Sequence, residues 1–220
     1  MELLDGIETR RSFRGFKPTP IPEEIMRQIL KAVSNSPSYQ NTQPWEVAVV
    51  SGKKKDELSK IIYQLASSKA ATNPDLSHPK SWPPEHEARS REHGARRLKA
   101  LGVEREDEQA RENLRLMNFE FYGAPSVIFL FMDRTLGHWS VYDMGLFSQN
   151  LILAAHSFGL GTCLQASVPG YPDAIREFLG IPETKQLVIA IPIGYPDSEA
   201  KLNTYRSVKQ KPEEFVKWYS

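Results

Sequence analysis

The stretch from residue 140 to residue 157 is the feature that most restricts how this chain can fold. Its apolar side chains are Met144, Leu146, Phe147, Leu151, Ile152, Leu153, Ala154 and Ala155. On a helix with about 3.6 residues per turn these positions cover most of the circumference, so we expect a helix that is buried nearly all round. Gly159 follows as a natural C-terminal stop. The rest of the chain must therefore pack around one long central helix.

Short apolar runs precede and follow this helix and are predicted to be strands, over residues 45–50, 126–132, 162–168 and 187–193. Helical patterns alternate with them, at residues 3–7, from Pro22-Glu23-Glu24 to a point before Pro37, and near residues 58–65 and 173–179. Strands that are separated by helices, with the longest helix buried, indicate a sheet wrapped by helices. The length of 220 residues fits a single domain.

Residues 66–118 differ from the rest of the chain in charge and apolar content. Between Glu85 and Glu112, 15 of 28 residues are charged, eight acidic and seven basic. Mixed signs at this density are typical of a solvated helical face, and the four prolines within residues 72–84 predict irregular backbone before it. Because large apolar residues are few, we interpret residues 66–118 as a charged helical insertion or cap on the single domain 1–220.

Several functional classes are disfavoured by composition. The 28 Lys and Arg nearly balance the 27 Asp and Glu, which argues against general nucleic-acid binding. Cys163 is the single cysteine, and the histidines lack metal-ligand spacing, so neither a disulfide framework nor a metal site is predicted. Neither a secretory apolar core nor a run of roughly 20 apolar residues is present. We therefore expect a soluble cytoplasmic protein without nucleic-acid or membrane partners.

Two polar segments are candidates for binding. Arg10, Arg11, Ser12 and Arg14 place three guanidiniums and one hydroxyl within five residues, a set that can clamp a phosphate through bidentate hydrogen bonds. A surface basic patch paired with Glu8 is the alternative reading of the same residues. The second segment, residues 36–44, is dense in side-chain donors and acceptors, and its alternative is an ordinary structured turn. Each segment alone leaves both readings open.

Taken together, four motifs occur in the order found in nitroreductases. They are Arg10-Arg11-Ser12-x-Arg14, Pro37-Ser38-x-x-Asn41-x-Gln43-Pro44-Trp45, Gly159-Leu160-Gly161-Thr162-Cys163 and Gly194-Tyr195-Pro196. On these residues the chain resembles the nitroreductase superfamily of FMN-dependent oxidoreductases, over residues 1–52 and 117–218. The resemblance implies an α+β fold with a central antiparallel sheet wrapped by helices, in an interlocked homodimer with FMN at the subunit interface.

The resemblance also implies which residues contact FMN: Arg10, Arg11, Ser12, Arg14, Pro37, Ser38, Tyr39, Asn41, Gln165, Ala166, Ser167 and Arg206. By this carry-over Arg10, Ser12 and Arg206 hold the phosphate, and Arg14 lies near the pyrimidine edge, where a cation favours the anionic reduced form. Residues 37–41 come from the other subunit, and backbone groups of residues 165–167 face the flavin N5 and O4 edge. The C-terminal arm, with Phe215 and Trp218, reaches the partner.

The implied function is reduction of small aromatic acceptors, nitroaromatics or quinones, by ping-pong hydride transfer from NADH or NADPH through FMN. No side chain is predicted to be catalytic, because flavin N5 carries the hydride. Two alternatives stay open. One is another flavin reaction of the same superfamily, reductive dehalogenation or flavin fragmentation; the other is a non-enzymatic nucleotide- or phosphate-binding module.

The charged insertion has its own pair of readings. Candidates for closing over the flavin are Trp82, Arg89, Arg91, Arg96 and Arg97, which would add an aromatic wall or an anion-binding group. A solvated pair of helices with no contact to the site is the alternative.

Overall fold

The computed structural model describes residues 2–220. Within these residues seven α-helices form: α1 (Leu3–Thr9), α2 (Glu23–Val33), α3 (Gly52–Ser67), α4 (Pro84–Leu101), α5 (Glu108–Leu116), α6 (His138–Ser157) and α7 (Pro172–Leu179). The same residues form four strands: β1 (Glu46–Ser51), β2 (Ser126–Asp133), β3 (Gly161–Thr162) and β4 (Lys185–Gly194). The predicted helices and three of the four predicted strands lie at or within a few residues of the expected positions.

The strands form one antiparallel sheet in the order β1-β2-β4-β3. Side chains of the central strand β2 alternate between two apolar layers, as the pleat requires. Val127, Phe129 and Phe131 pack with residues of α3 and α7, whereas Ile128 and Leu130 pack with residues of α2 and α6. Helices thus cover both faces of the sheet. The expectation of an α+β fold with a central antiparallel sheet wrapped by helices is confirmed.

The central helix α6 is buried less completely than its sequence predicts. One stripe, which includes Trp139, Tyr142, Gly145 and Gln149, remains exposed at a spacing of three to four residues. Trp139 is 65% exposed and Tyr142 62% exposed. The expectation of burial nearly all round is therefore wrong for the single chain, since no described element covers this stripe.

The predicted strand over residues 162–168 is also shorter than expected. Only Gly161 and Thr162 form a regular strand with β4, and the backbone bonds to β4 further along at Cys163, opposite Pro192, and at Gln165, opposite Ala190. Residues 168–170 then turn as a 3-10 helix. Pro169 suits this turn, because its fixed φ is compatible with the first turn of a helix and it has no N–H to donate to a sheet ladder.

The charged insertion contains α4 and α5, preceded by the irregular backbone that its prolines predict. α4 begins at Pro84, which suits the first helical turn, and ends at Gly102, whose φ of 64° is left-handed. The irregular segment is held down by Asp75, whose buried carboxylate accepts a 2.7 Å hydrogen bond from the Leu187 N–H and pairs with the buried Arg176.

Candidate functional site

The N-terminal arginine segment lies beside the end of the sheet. The Phe13 N–H donates to the Thr162 carbonyl at 2.9 Å, and the Lys17 N–H donates to the Tyr195 carbonyl at 2.9 Å. A Cβ atom at Gly161 would lie 2.7 Å from Phe13 Cδ2, so only glycine permits this approach. The Arg10–Arg14 motif and both glycine motifs, which are distant in sequence, thus meet at one place.

The arginines at this place have no acidic partners. Within residues 2–220, no carboxylate lies within 4.0 Å of the guanidinium of Arg10, Arg11, Arg14 or Arg206. Partial burial lowers the pKa of Arg11, and the nearby positive charge of Arg206 lowers it further. The alternative of a basic patch paired with Glu8 therefore does not describe the folded chain. Two neighbouring guanidiniums without an acid between them are an arrangement that suits the binding of an anion.

Arg10 marks where this anion site adjoins α6. The adjacent Thr9 hydroxyl and His156 Nε2, in the last turn of α6, are 2.9 Å apart. Partial burial and the charge of Arg10 lower the pKa of His156. The arginine segment therefore sits at the C-terminal end of the central helix.

Asn203 connects the arginine segment to the C-terminal tail and was missed by the sequence reasoning. Its Oδ1 accepts a 2.7 Å hydrogen bond from the Arg14 N–H. Its Nδ2 donates at 2.8 Å to the carbonyls of both Gly15 and Asp197. Because Asn203 is buried and fully used, it fixes the tail three residues before Arg206. The proximity of this asparagine to Arg206 in the sequence was the available signal.

The segment of residues 163–167 follows β3 beside the arginine segment. Cys163 and Gln165 are buried, whereas Leu164, Ala166 and Ser167 are exposed. Gln165 is buried, and its backbone N–H donates to the Ala190 carbonyl at 2.8 Å. This pairing removes the Gln165 N–H from the groups that could face a flavin and corrects that part of the prediction. Ala166 and Ser167 are exposed and remain candidates. Cys163 is buried, and burial raises its thiol pKa, as suits a core residue.

The polar loop before β1 has an unusual backbone. Gln40, Asn41 and Gln43 all have left-handed φ values, of 49°, 57° and 48°. Three such non-glycine residues in one short loop are uncommon, and backbone strain of this kind concentrates at functional sites. The loop is held by Asp143, a 2% exposed acid on α6 whose two oxygens each lie 3.1 Å from the Tyr39 N–H. Sequence reasoning missed Asp143, the one acid among the apolar residues of α6.

The structure does not bring this loop and the arginine segment together within one chain. The loop is attached at Asp143, in the N-terminal part of α6, whereas Arg10 lies near His156 at the other end. These positions are 13 residues apart, which corresponds to about 20 Å along a helix. Three exposed aromatic residues lie together beside the loop. The ring of Tyr39 stacks on that of Trp139 with 5.7 Å between the ring centres, and the rings of Trp139 and Tyr142 are 6.3 Å apart. Pro37, Ser38, Tyr39 and Asn41 therefore belong to one end of α6, and the arginines to the other.

Across residues 2–220, no three His, Cys, Asp or Glu side chains are placed to hold a metal ion. None of the helices in that range combines the length and apolarity required to cross a bilayer.

Comparison with known proteins identifies the family. The family model described as the nitroreductase family matches residues 7–195. The chain belongs to the nitroreductase family. It is 30% identical to a 4-nitrobenzoate reductase of Pseudomonas putida, over 96% of this chain and 92% of that protein. It is 33% identical to the nitroreductase NfnB of Mycolicibacterium smegmatis, over 91% of this chain and 85% of that protein.

Solved structures show that the fold is also that of the nitroreductase family. The crystal structure of FMN-dependent NfnB from Mycobacterium smegmatis in complex with NADPH superposes with a TM-score of 0.94 at 31% identity, covering 99% of this chain and 97% of that one. The structure of the FMN- and NADPH-dependent NfnB from a Sphingopyxis strain gives a TM-score of 0.95 at 25% identity, with both chains covered fully. The charged insertion lies within these matched lengths.

Proposed function

We propose that this protein is an FMN-dependent oxidoreductase that reduces nitroaromatic or quinone-type acceptors with NADH or NADPH. The observation that carries the proposal is the arginine segment, which Asn203 fixes beside the tail that carries Arg206, and whose guanidiniums no described acid neutralises. A phosphate monoester fits this place because guanidinium groups recognise phosphate oxygens in pairs. The relatives support the rest: they include a 4-nitrobenzoate reductase and an FMN-dependent nitroreductase bound to NADPH.

Different residues of this chain bind different parts of FMN. Arg10, Arg11, Ser12 and Arg206 hold the phosphate, and Arg14 presents a positive charge to the pyrimidine edge, which stabilises negative charge there. Backbone groups of Ala166 and Ser167 approach the opposite edge of the ring. When bound, FMN supplies the hydride chemistry, which is why no side chain needs to act as acid, base or nucleophile.

A homodimer follows from the separation of the two parts of the site. A two-fold axis across α6 would lay the N-terminal half of one helix against the C-terminal half of its partner. Pro37, Ser38, Tyr39 and Asn41 of one subunit would then meet the arginines of the other. The exposed stripe with Trp139 and Tyr142 would be covered in the same contact.

The C-terminal arm offers a second contact between the subunits. Trp218 is 92% exposed, and Phe215 is also exposed on the single chain. At the edge of the sheet, β1 leaves Val47 and Val49 exposed beside a groove that Leu179 and Ile181 complete. An apolar arm on one subunit and an open apolar edge on the other are complementary surfaces.

We further propose that residues 66–118 are part of the single domain 1–220 and form its cap. The Asn73 N–H donates to the Gly170 carbonyl at 3.0 Å, and the side-chain amide of Gln165 donates to the Asn118 carbonyl at 2.9 Å. These bonds tie the insertion to the core of the domain. A cytoplasmic location stays part of the proposal, since the reaction consumes NAD(P)H.

The visible absorption spectrum tests the function directly. Protein purified with added FMN is expected to be yellow at one flavin per subunit and to bleach when NADH or NADPH is added without oxygen. Initial rates at several NAD(P)H and nitroaromatic concentrations should then give parallel double-reciprocal lines. Intersecting lines would indicate a ternary complex and contradict the ping-pong order. Protein that takes up no FMN would contradict the proposed function itself.

Two further readouts separate this function from its flavin-dependent alternatives. Release of halide from a halogenated aromatic would indicate reductive dehalogenation, and irreversible loss of the flavin spectrum after reoxidation would indicate flavin fragmentation. We expect neither, and a recovered oxidised spectrum after each turnover.

A further inference from the structure

The cap helix α4 meets the proposed flavin site through the C-terminal tail. The Tyr205 hydroxyl lies 3.1 Å from His93 Nδ1, and the two rings are 5.4 Å apart. Two residues earlier in the tail, Asn203 is bonded to the backbone of Arg14. α4 is therefore held beside the Arg14 side of the site.

The charged residues of the cap differ in what they contact. Arg91 pairs with Glu87 at 2.8 Å, and Arg96 pairs with Glu92, in both cases one helical turn away on an exposed face. Trp82 is exposed. For Arg91 and Arg96, the reading of a solvated helical face is therefore confirmed.

Arg97 is different from both. Its Nη2 atom is buried and has no hydrogen-bond partner within residues 2–220, and none of the carboxylates in that range lies within 4.0 Å of it. Removing a charged donor from water without giving it a partner is costly. A conformation of this kind is explained when the missing partner is a ligand.

Arg97 follows His93 by four residues, so the two side chains share the face of α4 that contacts Tyr205 of the tail. Burial raises the pKa of the Tyr122 phenol, and the positive charges of Arg14 and Arg97 both oppose that rise. Burial lowers the pKa of His93, and the positive charges of Arg14, Arg97 and Lys209 lower it further. Arg14 and Arg97 therefore surround the same small region, and their mutual repulsion adds to the cost of leaving it without an anion.

The anion that belongs here is not the FMN phosphate, whose cations are Arg11 and Arg206. The region beside Arg14 adjoins the flavin ring in the proposed function, where the aromatic acceptor must lie for hydride transfer. A carboxylate on an aromatic ring is planar and matches the two parallel N–H groups of a guanidinium.

We propose that Arg97, with Arg14 completing the positive field, receives the carboxylate of the acceptor, and that the enzyme prefers nitroaromatic acids over neutral nitroaromatics. This inference rests on the proposed function and adds the substrate class to it. The cap then has a defined role, because it supplies the residue that selects the acceptor.

The test compares 4-nitrobenzoate with the neutral, similarly shaped 4-nitrobenzamide in the holoenzyme. The wild type should favour the acid in kcat/KM. Arg97→Met should lower kcat/KM for 4-nitrobenzoate by about 10- to 100-fold, mostly through KM, as expected for one charge-assisted hydrogen-bonded pair. The benzamide should change less than about twofold, because it does not use the charge. Arg97→Lys should recover part of the loss, since lysine restores the charge but not the fork.

Arg96→Met is the matched control, because Arg96 neighbours Arg97 in sequence but pairs with Glu92 on the exposed face. It should leave both acceptors unchanged. A second readout without turnover is the dissociation constant of benzoate, which cannot be reduced, from its perturbation of the oxidised flavin spectrum. Arg97→Met should weaken benzoate binding by the same factor as it raises KM, and benzamide binding should stay as it is.

The contrary outcomes are distinct. Equal efficiency of the wild type with both acceptors would overturn the proposed preference. Equal losses for both acceptors in Arg97→Met, with a shifted midpoint potential of bound FMN, would show that Arg97 acts on the flavin and not on a carboxylate. In both cases the neutral acceptor is still reduced by the wild type, so the proposed function stands. Wild-type protein that binds FMN and reduces neither acceptor would count against the proposed function instead.

Discussion

Arginines play three different structural roles in three regions of this molecule. On the outer face of the cap, Arg91 and Arg96 pair with glutamates one turn away in the same helix. In the body of the domain, Arg176 is buried against Asp75. At the end of the sheet, Arg11 and Arg206 lie close to each other and pair with none of the described acids. The comparison teaches that a high density of arginines does not by itself indicate an anion site, because Arg91 and Arg96 are neutralised within their own helix.

The buried pair should give the largest effect on stability. Asp75→Ala removes the one described buried acid that pairs with Arg176, which keeps only the exposed Asp173 and the Lys185 carbonyl, and it also removes the acceptor of the Leu187 N–H. We expect a loss of about 3–5 kcal/mol in the free energy of unfolding, as for other broken buried pairs. Urea unfolding of the apoprotein measures it. A loss below about 1 kcal/mol, the range of exposed pairs, would remove the distinction between the two kinds of pair.

The unpaired arginines should affect the ligand and not the fold. Arg206→Met is expected to weaken FMN binding on the order of 100-fold, because a bidentate contact to phosphate is lost. Quenching of flavin fluorescence on titration measures this dissociation constant. Inorganic phosphate should raise the Tm of the wild-type apoprotein, and the variant should respond less. Unchanged FMN affinity in Arg206→Met would show that Arg206 does not contribute to FMN binding.

The polar loop before β1 extends the comparison to an acid. Its anchor, Asp143, pairs with none of the described cations and accepts instead from the Tyr39 N–H. Asp143→Ala removes the acceptor of the Tyr39 N–H, and Asp143→Asn keeps one. We expect the alanine variant to lose about 10-fold in kcat/KM and the asparagine variant to lose less. If the alanine variant has wild-type kinetics, the loop does not depend on this anchor.

The pH dependence should be the smallest of these effects. The pKa of His156 is lowered by partial burial and by Arg10, and the pKa of His93 is also lowered. Above the unfolded value of about 6.5 both rings are neutral in both states, and the pH has no effect through them. As the pH falls below that value, the unfolded chain binds protons first, so the folded state loses stability.

His156→Gln should reduce this acid-side loss. Thermal unfolding at about pH 7.5 and about pH 5.5, on either side of the unfolded histidine pKa, measures the difference. A Tm that falls equally in the variant and the wild type would assign the loss to other groups. Arg96→Met, whose exposed pair is worth less than about 1 kcal/mol, should leave both Tm values nearly unchanged.

The sequence predicted well those features that depend on neighbours along the chain. The start of α2 after Pro22, the stop at Gly159 and the charged helices between Pro84 and Leu116 follow from local rules of backbone geometry and charge. Strands β1, β2 and β4 were predictable because apolar runs of that length must be buried. The end of the short β3 was not predictable, because it depends on the pairing that the distant strand β4 offers.

The site was predicted only where motifs carry it. The arginine segment, the polar loop and the two glycine motifs were all identified, and three of these four meet in the structure. Asn203 and Asp143 were missed, because a single buried asparagine or aspartate has no pattern in the sequence. Gln165 was placed on the flavin by resemblance, whereas its backbone N–H is used by Ala190.

By itself the sequence determined the class of fold and the family, and it located the candidate phosphate-binding residues, since periodicity, helix ends and motif order are local properties. Only the tertiary structure decided which charges are paired. It separated Arg97 from Arg96, placed Arg11 near Arg206, and left one stripe of α6 exposed. The physical reason is that the state of a charged or apolar side chain depends on what surrounds it after folding, and those surroundings come from distant parts of the chain.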